Sequence, residues 1–265
     1  MYDFNYVKPS SVADAIKALG EEDAQPISGG QTLIPTLKQR LARPSTLVDL
    51  TQIAELKGIE VSGDSVTIKG ATTHAMVANS AEVQAKIPAL AELAHHIGDP
   101  QVRNRGTIGG SVANNDPAAC YPAAVLGLGA TVLTNKREIA ADDYFLGMFT
   151  TALEEDEIVT GVRFPAPEKA NYQKFVQPAS RFALTAVFAA KTSGGARVAV
   201  TGASNEGVFR WTEAEQALSS NWSPDAVDGL AAPDSAMMIG DIHGSPEYRA
   251  HLAKVLTKRA VAAAA

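Results

Sequence analysis

One cysteine, Cys120, among 265 residues constrains this chain more than any other feature. A lone thiol closes no internal disulfide, completes no cysteine-based zinc finger and holds no iron–sulfur cluster, because each needs several ligands. The fold must therefore rest on its hydrophobic core. The composition supplies one, with 46% hydrophobic and 20% charged residues, close to a globular average. At roughly 150 residues per domain, the length predicts two domains or one with an extension. A net charge of -6 and a pI near 5.4, with no clustered Lys or Arg, argue against a nucleic-acid partner. No window reaches the ~18 consecutive apolar residues of a membrane span. Residues 1–9 carry Asp3 and two tyrosines where a secretory signal would be basic and then apolar. The reading is a cytoplasmic chain.

Periodicity divides the chain further. Ser11 is followed by Val12, Ala15, Ile16 and Leu19 at helical spacing, with Gly20 as a stop. Residues 24–27 read as a strand, Ser28, Gly29 and Gly30 as a turn, and Leu33, Ile34, Leu37 and Leu41 as one helix face; residues 47–50 return as a strand. This is a compact right-handed crossover. Strands around Val61, Val66 and Ile68 follow, joined by a turn at Ser62, Gly63 and Asp64, and then a mostly helical stretch over 72–97. Residues 118–126 read as a helix, and 130–134 and 158–164 as strands, with Pro165 and Pro167 as the linker. Three more strands, 172–176, 185–191 and 197–203, precede helices over 212–218 and 246–262.

The chemistry concentrates in two glycine turns. The first is Ser28, Gly29, Gly30, Gln31 and Thr32; the second is Gly106, Thr107, Ile108, Gly109, Gly110 and Ser111. Glycines let the backbone approach a ligand, and the hydroxyls can donate to an anion. The first turn also precedes a helix, whose free N–H groups favour phosphate. A diphosphate held by two turns needs few lysines. Neither turn is a GxGxxG fingerprint or a Walker loop. Taken alone, each Gly-Gly also reads as a simple tight turn.

These segments resemble a known family. Residues 28–35 (SGGQTLIP), residues 99–110 (DPQVRNRGTIGG), Asn115-Asp116-Pro117 and the ending GSPEYR (244–249), followed by Arg259-Ala260, are similar to the FAD-binding medium subunit of the molybdenum hydroxylases. That group includes the xanthine dehydrogenases and aerobic carbon monoxide dehydrogenases. The resemblance covers nearly the whole chain. It implies an α+β fold: a two-lobed FAD-binding domain of the p-cresol methylhydroxylase type, with lobes at 1–57 and 58–167, then a small C-terminal α/β domain at 168–265 with a three-stranded antiparallel sheet and helices. It also implies a molybdopterin-binding large subunit and an iron–sulfur small subunit with two two-iron two-sulfur clusters as partners, in a dimer of heterotrimers. This chain would be an oxidoreductase subunit carrying FAD and no metal.

By the same resemblance, Ser28, Gly29, Gly30, Gln31, Thr32 and Leu33, with Thr107, Ile108, Gly109, Gly110 and Ser111, would hold the FAD diphosphate and nearby sugar oxygens, largely through backbone N–H groups. Ile97 would pack at the adenine or the flavin, Val159 would present its backbone to the ring edge, and Asn115 or Asp116 would lie near the cofactor. Lys174 stands in for a family lysine near the flavin. Cys120 occupies a place where the family often has an acidic residue that contacts FAD. No side-chain acid, base or nucleophile is required, because the flavin is the redox centre. A self-sufficient flavin oxidase or reductase of the same fold is the alternative, and a scaffold that has lost FAD is a third reading.

Other residues invite plainer readings. His95 and His96 point about 100° apart on a helix and mark its end. His74 reads equally as a cap or as a cofactor contact. Cys120 reads as a small buried hydrophobe, and residues 154–157 as a solvated acidic turn. Arg103 and Arg105 are candidates for loop-anchoring salt bridges or for phosphate.

Overall fold

The computed structural model describes all 265 residues. The first lobe runs β1 (Asn5–Val7), α1 (Val12–Leu19), β2 (Ala24–Ile27), α2 (Leu33–Lys38) and β3 (Thr46–Asp49). Its sheet has the order β1-β3-β2, and all pairings are parallel. Ser11 caps α1 by accepting from the Asp14 N–H, as its position ahead of an apolar stripe predicts. Helix α2 is shorter than its apolar spacing suggests. Arg40 adopts φ +60 and the Leu41 N–H turns back to the Thr36 carbonyl, which ends the helix and leaves Leu41 74% exposed.

The second lobe holds a five-stranded antiparallel sheet of order β4-β5-β10-β6-β7. Its strands are β4 (Ile59–Ser62), β5 (Ser65–Lys69), β6 (Thr131–Thr134), β7 (Glu138–Ala140) and β10 (Val159–Pro165). Between β5 and β6 lie α3 (His74–Asn79), α4 (Ala81–Lys86), α5 (Pro88–His95), α6 (Pro100–Arg105), α7 (Ile108–Asn114) and α8 (Tyr121–Gly127). After β7 come α9 (Ala141–Tyr144) and a small hairpin of β8 (Phe145–Gly147) and β9 (Thr150–Thr151). The 154–157 run is not wholly solvated. Glu157 is buried and receives Arg137 Nη2 at 3.0 Å and Thr134 Oγ1 at 2.6 Å. These bonds, led by that of Arg137, hold its carboxyl down to about 2.

The last unit runs β11 (Lys169–Val176), β12 (Ala183–Thr192), β13 (Gly195–Thr201), β14 (Phe209–Arg210), α10 (Thr212–Ser220), α11 (Asp225–Asp228) and α12 (Pro246–Ala263). The three expected strands form one antiparallel sheet, and the two-residue β14 adds a fourth. Strand β12 is apolar on both faces because both are covered. Ala186, Phe188 and Ala190 enter the main core, while Val187 and Ala189 enter a second core that includes Ala214, Ala253 and Leu256 of the closing helices. The main core therefore passes from the second lobe into the C-terminal sheet. Burial of Phe188 alone contributes about 1.5–3 kcal/mol.

Candidate functional site

The two glycine segments, far apart in sequence, meet in space. Thr107 Oγ1 donates to Ser28 Oγ at 2.9 Å. A Cβ on Gly29 would fall 2.2 Å from the Arg105 carbonyl oxygen and 2.6 Å from Gly106 Cα. Gly30 adopts φ +69 as the chain leaves β2 for α2, a conformation that glycine adopts without a Cβ penalty. A second close approach lies behind the first. The Gly109 N–H donates to the Gly70 carbonyl at 2.8 Å, and the Gly70 N–H donates to that of Thr160 at 2.7 Å. A Cβ on Gly70 would sit 2.2 Å from the Val159 carbonyl oxygen.

Backbone accounting separates the two segments. The N–H groups of Gly29, Gly30, Gln31, Thr32 and Leu33 have no acceptor within the chain; Ile34 is the first to find one, the Gly30 carbonyl at 3.0 Å. Five consecutive free donors at a positive-φ turn are a ready nest for an anion. The second segment is different. Residues 108–111 are the first turn of α7, capped by Thr107, and their N–H groups are already used: Ile108 on the Thr72 carbonyl, Gly109 on that of Gly70, Ser111 on that of Thr107, and Gly110 on Thr107 Oγ1. The expectation that the second turn also holds a ligand largely through backbone N–H groups does not fit residues 108–111, whose N–H groups are bonded within the chain. The first segment donates; the second provides a wall that approaches closely, with Gly110 exposed.

His74 is the first residue of α3, and the cap is Thr73, which accepts from the Met76 N–H. The His74 ring backs the seam: a Cβ on Gly106 would lie 2.5 Å from Nε2. Burial, aided by the Arg103 charge, pushes its pKa down to about 4, so it is neutral at pH 7. Arg103 makes no salt bridge and instead anchors the loop by donating to the Ile97 carbonyl at 3.1 Å. Ile97 is half-buried and packs against the main core. Lys174 Nζ donates to the His96 carbonyl at 2.9 Å, tying β11 to the end of α5 beside Ile97. Val159 is buried.

Asn115 is buried in the left-handed region at φ 44. Its Nδ2 donates to the Gly147 carbonyl at 2.8 Å and to that of Thr150 at 3.1 Å, so the amide nitrogen fastens the β8–β9 hairpin to α7, while Oδ1 is buried without a partner. Asp116 lines a groove of about 290 Å³ with Ala118, Gln177, Ser180, Phe182 and His243. Cys120 is buried, near the Tyr172 hydroxyl. Sequence reasoning missed a second cavity, of about 200 Å³, next to Ser28. Arg105 lines it, as do Tyr6 and Asp49. Tyr6 donates to Asp49 Oδ2 at 2.5 Å, which pushes its phenol up to about 12. Burial works to raise the Asp49 carboxyl, but bonds from Thr51 and Tyr6 outweigh it and hold it below the usual range. Gly70 was also missed, although a glycine closing the alternating 65–69 strand is a signal of close backbone approach.

A nest of backbone donors where the first lobe meets the second, beside a third unit built on an antiparallel sheet, suits the anionic part of a cofactor. Comparison with known proteins specifies which. A family model described as the FAD binding domain in molybdopterin dehydrogenase matches residues 2–167, and one described as the CO dehydrogenase flavoprotein C-terminal domain matches residues 172–264. The chain is 37% identical to the nicotine 6-hydroxylase medium subunit of Paenarthrobacter nicotinovorans, over 97% of this chain and 95% of that one. It is 36% identical to the carbon monoxide dehydrogenase medium chain of Afipia carboxidovorans, with the same coverage. The solved structure of reconstituted CO dehydrogenase from Oligotropha carboxidovorans superposes with a TM-score of 0.91 at 36% identity, covering 98% of this chain and 97% of that one. The chain belongs to the FAD-binding medium subunits of the molybdenum hydroxylase family, and it is an oxidoreductase subunit. No helix is long and apolar enough to cross a membrane.

Proposed function

We propose that this chain relays electrons through FAD, receiving them from the iron–sulfur clusters of a small subunit and releasing them to an external acceptor. A molybdopterin-binding large subunit would oxidise the substrate, in a cytoplasmic dimer of heterotrimers. The observation that carries the reading is the run of five unpaired N–H groups over 29–33, in a chain whose relatives are medium subunits of such dehydrogenases. When bound, FAD supplies a two-electron store that can be filled and emptied one electron at a time.

The chain's own residues do the rest. Gly29, Gly30, Gln31, Thr32 and Leu33 would take the diphosphate through their free N–H groups, with the Ser28 hydroxyl alongside. Thr107, Ile108, Gly109, Gly110 and Ser111 would form the opposing wall, and Asp116 would mark the continuation of the site along its groove. Ile97 and Val159 would contribute apolar and backbone contact. Asn115 and Lys174 would act by holding the 145–151 hairpin and the 96–97 loop in place. The units 1–57, 58–167 and 168–265 divide this work, the first two enclosing the diphosphate. Burial of His74 in its neutral form keeps the seam free of a titrating charge near pH 7.

The test is flavin reduction followed by absorbance. The isolated chain loaded with FAD is expected to remain oxidised with any substrate of the complex and to be reduced once the partner chains are added. Turnover by the single chain would instead favour a self-sufficient oxidase or reductase.

A further inference from the structure

The groove that carries Asp116 is assembled from three separate stretches of chain, and one buried cation holds the anchor of each. Arg249, in the first turn of α12, is 2% exposed. Its Nη1 donates to the Leu184 carbonyl at 2.7 Å, two residues beyond Phe182, and to the Gly202 carbonyl at 2.9 Å. The Gly202 N–H in turn donates to the Pro117 carbonyl at 2.7 Å. Thr201 Oγ1 donates to the carbonyls of Pro117 and Ala119, both at 2.9 Å. The end of β13 therefore grips the segment bearing Asp116 and Ala118. Arg249 Nη2 donates to Asp241 Oδ2 at 2.7 Å, while Asp241 Oδ1 accepts from the N–H groups of His243 at 2.9 Å and Gly244 at 3.2 Å. That turn brings His243 to the groove. Gly202 leaves no slack, since it adopts φ +82 and a Cβ there would meet the Ala183 carbonyl oxygen at 2.6 Å.

Packing of α12 does not call for this charge. The helix already buries Ala250, Ala253, Leu256 and Ala260 in the second core, and a buried guanidinium is costly to desolvate. What the planar fork supplies is geometry, because several donors leave it in fixed directions toward three acceptors. We propose that Arg249 is a positioning residue that fixes the three walls of the Asp116 groove relative to one another, and so governs how FAD is held there. This rests on reading the groove as part of the FAD site.

The experiment uses the full-length chain loaded with FAD. The variants are Asp241→Asn and Arg249→Met, and the readouts are the FAD Kd, the visible circular dichroism of the bound flavin and the urea midpoint. Asp241→Asn leaves both Arg249–carbonyl bonds in place but removes the charge partner of the buried guanidinium, so its urea midpoint is expected to fall, by less than that of Arg249→Met. Its FAD Kd is expected to rise roughly 2- to 30-fold, the range typical of residues acting through a coupled network, with an altered flavin dichroism band. Arg249→Met is expected to move all three readouts further; if it fails to fold, Asp241→Asn decides. An unchanged Kd and dichroism in Asp241→Asn overturns the proposal, whatever happens to stability. Failure of the parent chain to bind FAD overturns the site reading and this inference together, whereas binding by the parent with an unaffected Asp241→Asn overturns this inference alone.

Discussion

Gly29→Ala probes the donor nest most sharply. The added methyl would meet main chain, the Arg105 carbonyl oxygen at 2.2 Å and Gly106 Cα at 2.6 Å, and main chain cannot rotate away as a side chain can. The β2–α2 loop must lift off the α6–α7 seam, at an overpacking cost of about 1–3 kcal/mol. The same shift misdirects the N–H groups of 29–33. Losing one hydrogen bond to a charged acceptor costs about 1.5–3 kcal/mol, which raises the Kd for FAD roughly 10- to 150-fold. Flavin fluorescence titration against the parent chain measures the change. Gly229→Ala serves as the control, because a Cβ there meets nothing within 4 Å and its φ is -74; it is expected to leave the Kd unchanged. If Gly29→Ala is folded and binds FAD as tightly as the parent, the diphosphate does not sit on this nest.

The pH dependence of stability is expected to decline in two steps. His74 is depressed from 6.5 to about 4, so the unfolded chain binds a proton that the native one refuses; stability is full above 6.5 and falls as pH drops toward 4. Glu157 is depressed from 4.5 to about 2 and adds a further loss over that lower window. Urea midpoints from pH 7 to 3 will trace both, and His74→Gln should flatten only the first; an unchanged first step would refute the assignment. Asn115→Gly keeps the left-handed backbone but removes two donors to the hairpin, and is expected to cost about 1–3 kcal/mol. Asn115→Ala should lose roughly 1–2 kcal/mol more through its φ, and equal stability of the two variants in urea would contradict that account. Cys120 is 5% exposed and should react with a thiol reagent only as fast as the chain unfolds; rapid labelling of the native protein would show it to be accessible.

Local signals made much of the fold legible. Ser11 and Gly20 bracket α1, and the 61–68 alternation with its central glycine gives the β4–β5 hairpin. Features set by distant partners were not legible. Gly109 and Gly110 read as a turn because glycine disfavours helices, yet they open α7, where Gly109 must pass against Gly70. Glu157 looked solvated within its acidic run because its partner Arg137 lies across a neighbouring strand connection. Helix α2 ends on Arg40 at φ +60 without the usual glycine, so Leu41 looked like part of its apolar face. Strands β1 and β14, of three and two residues, are too short to show alternation. Both glycine segments were legible in the sequence, and the fold brings them together. Only the hydrogen-bond pattern shows that one keeps its donors free while the other has already used them.

In the proposed division of labour this chain holds the flavin and leaves the metals to its partners. Titration of the purified chain with FAD, followed by flavin and metal analysis after gel filtration, tests it most directly. One FAD per chain and no iron or molybdenum is the expected result. A chain that remains colourless after FAD addition, or one that carries iron on its own, would contradict it.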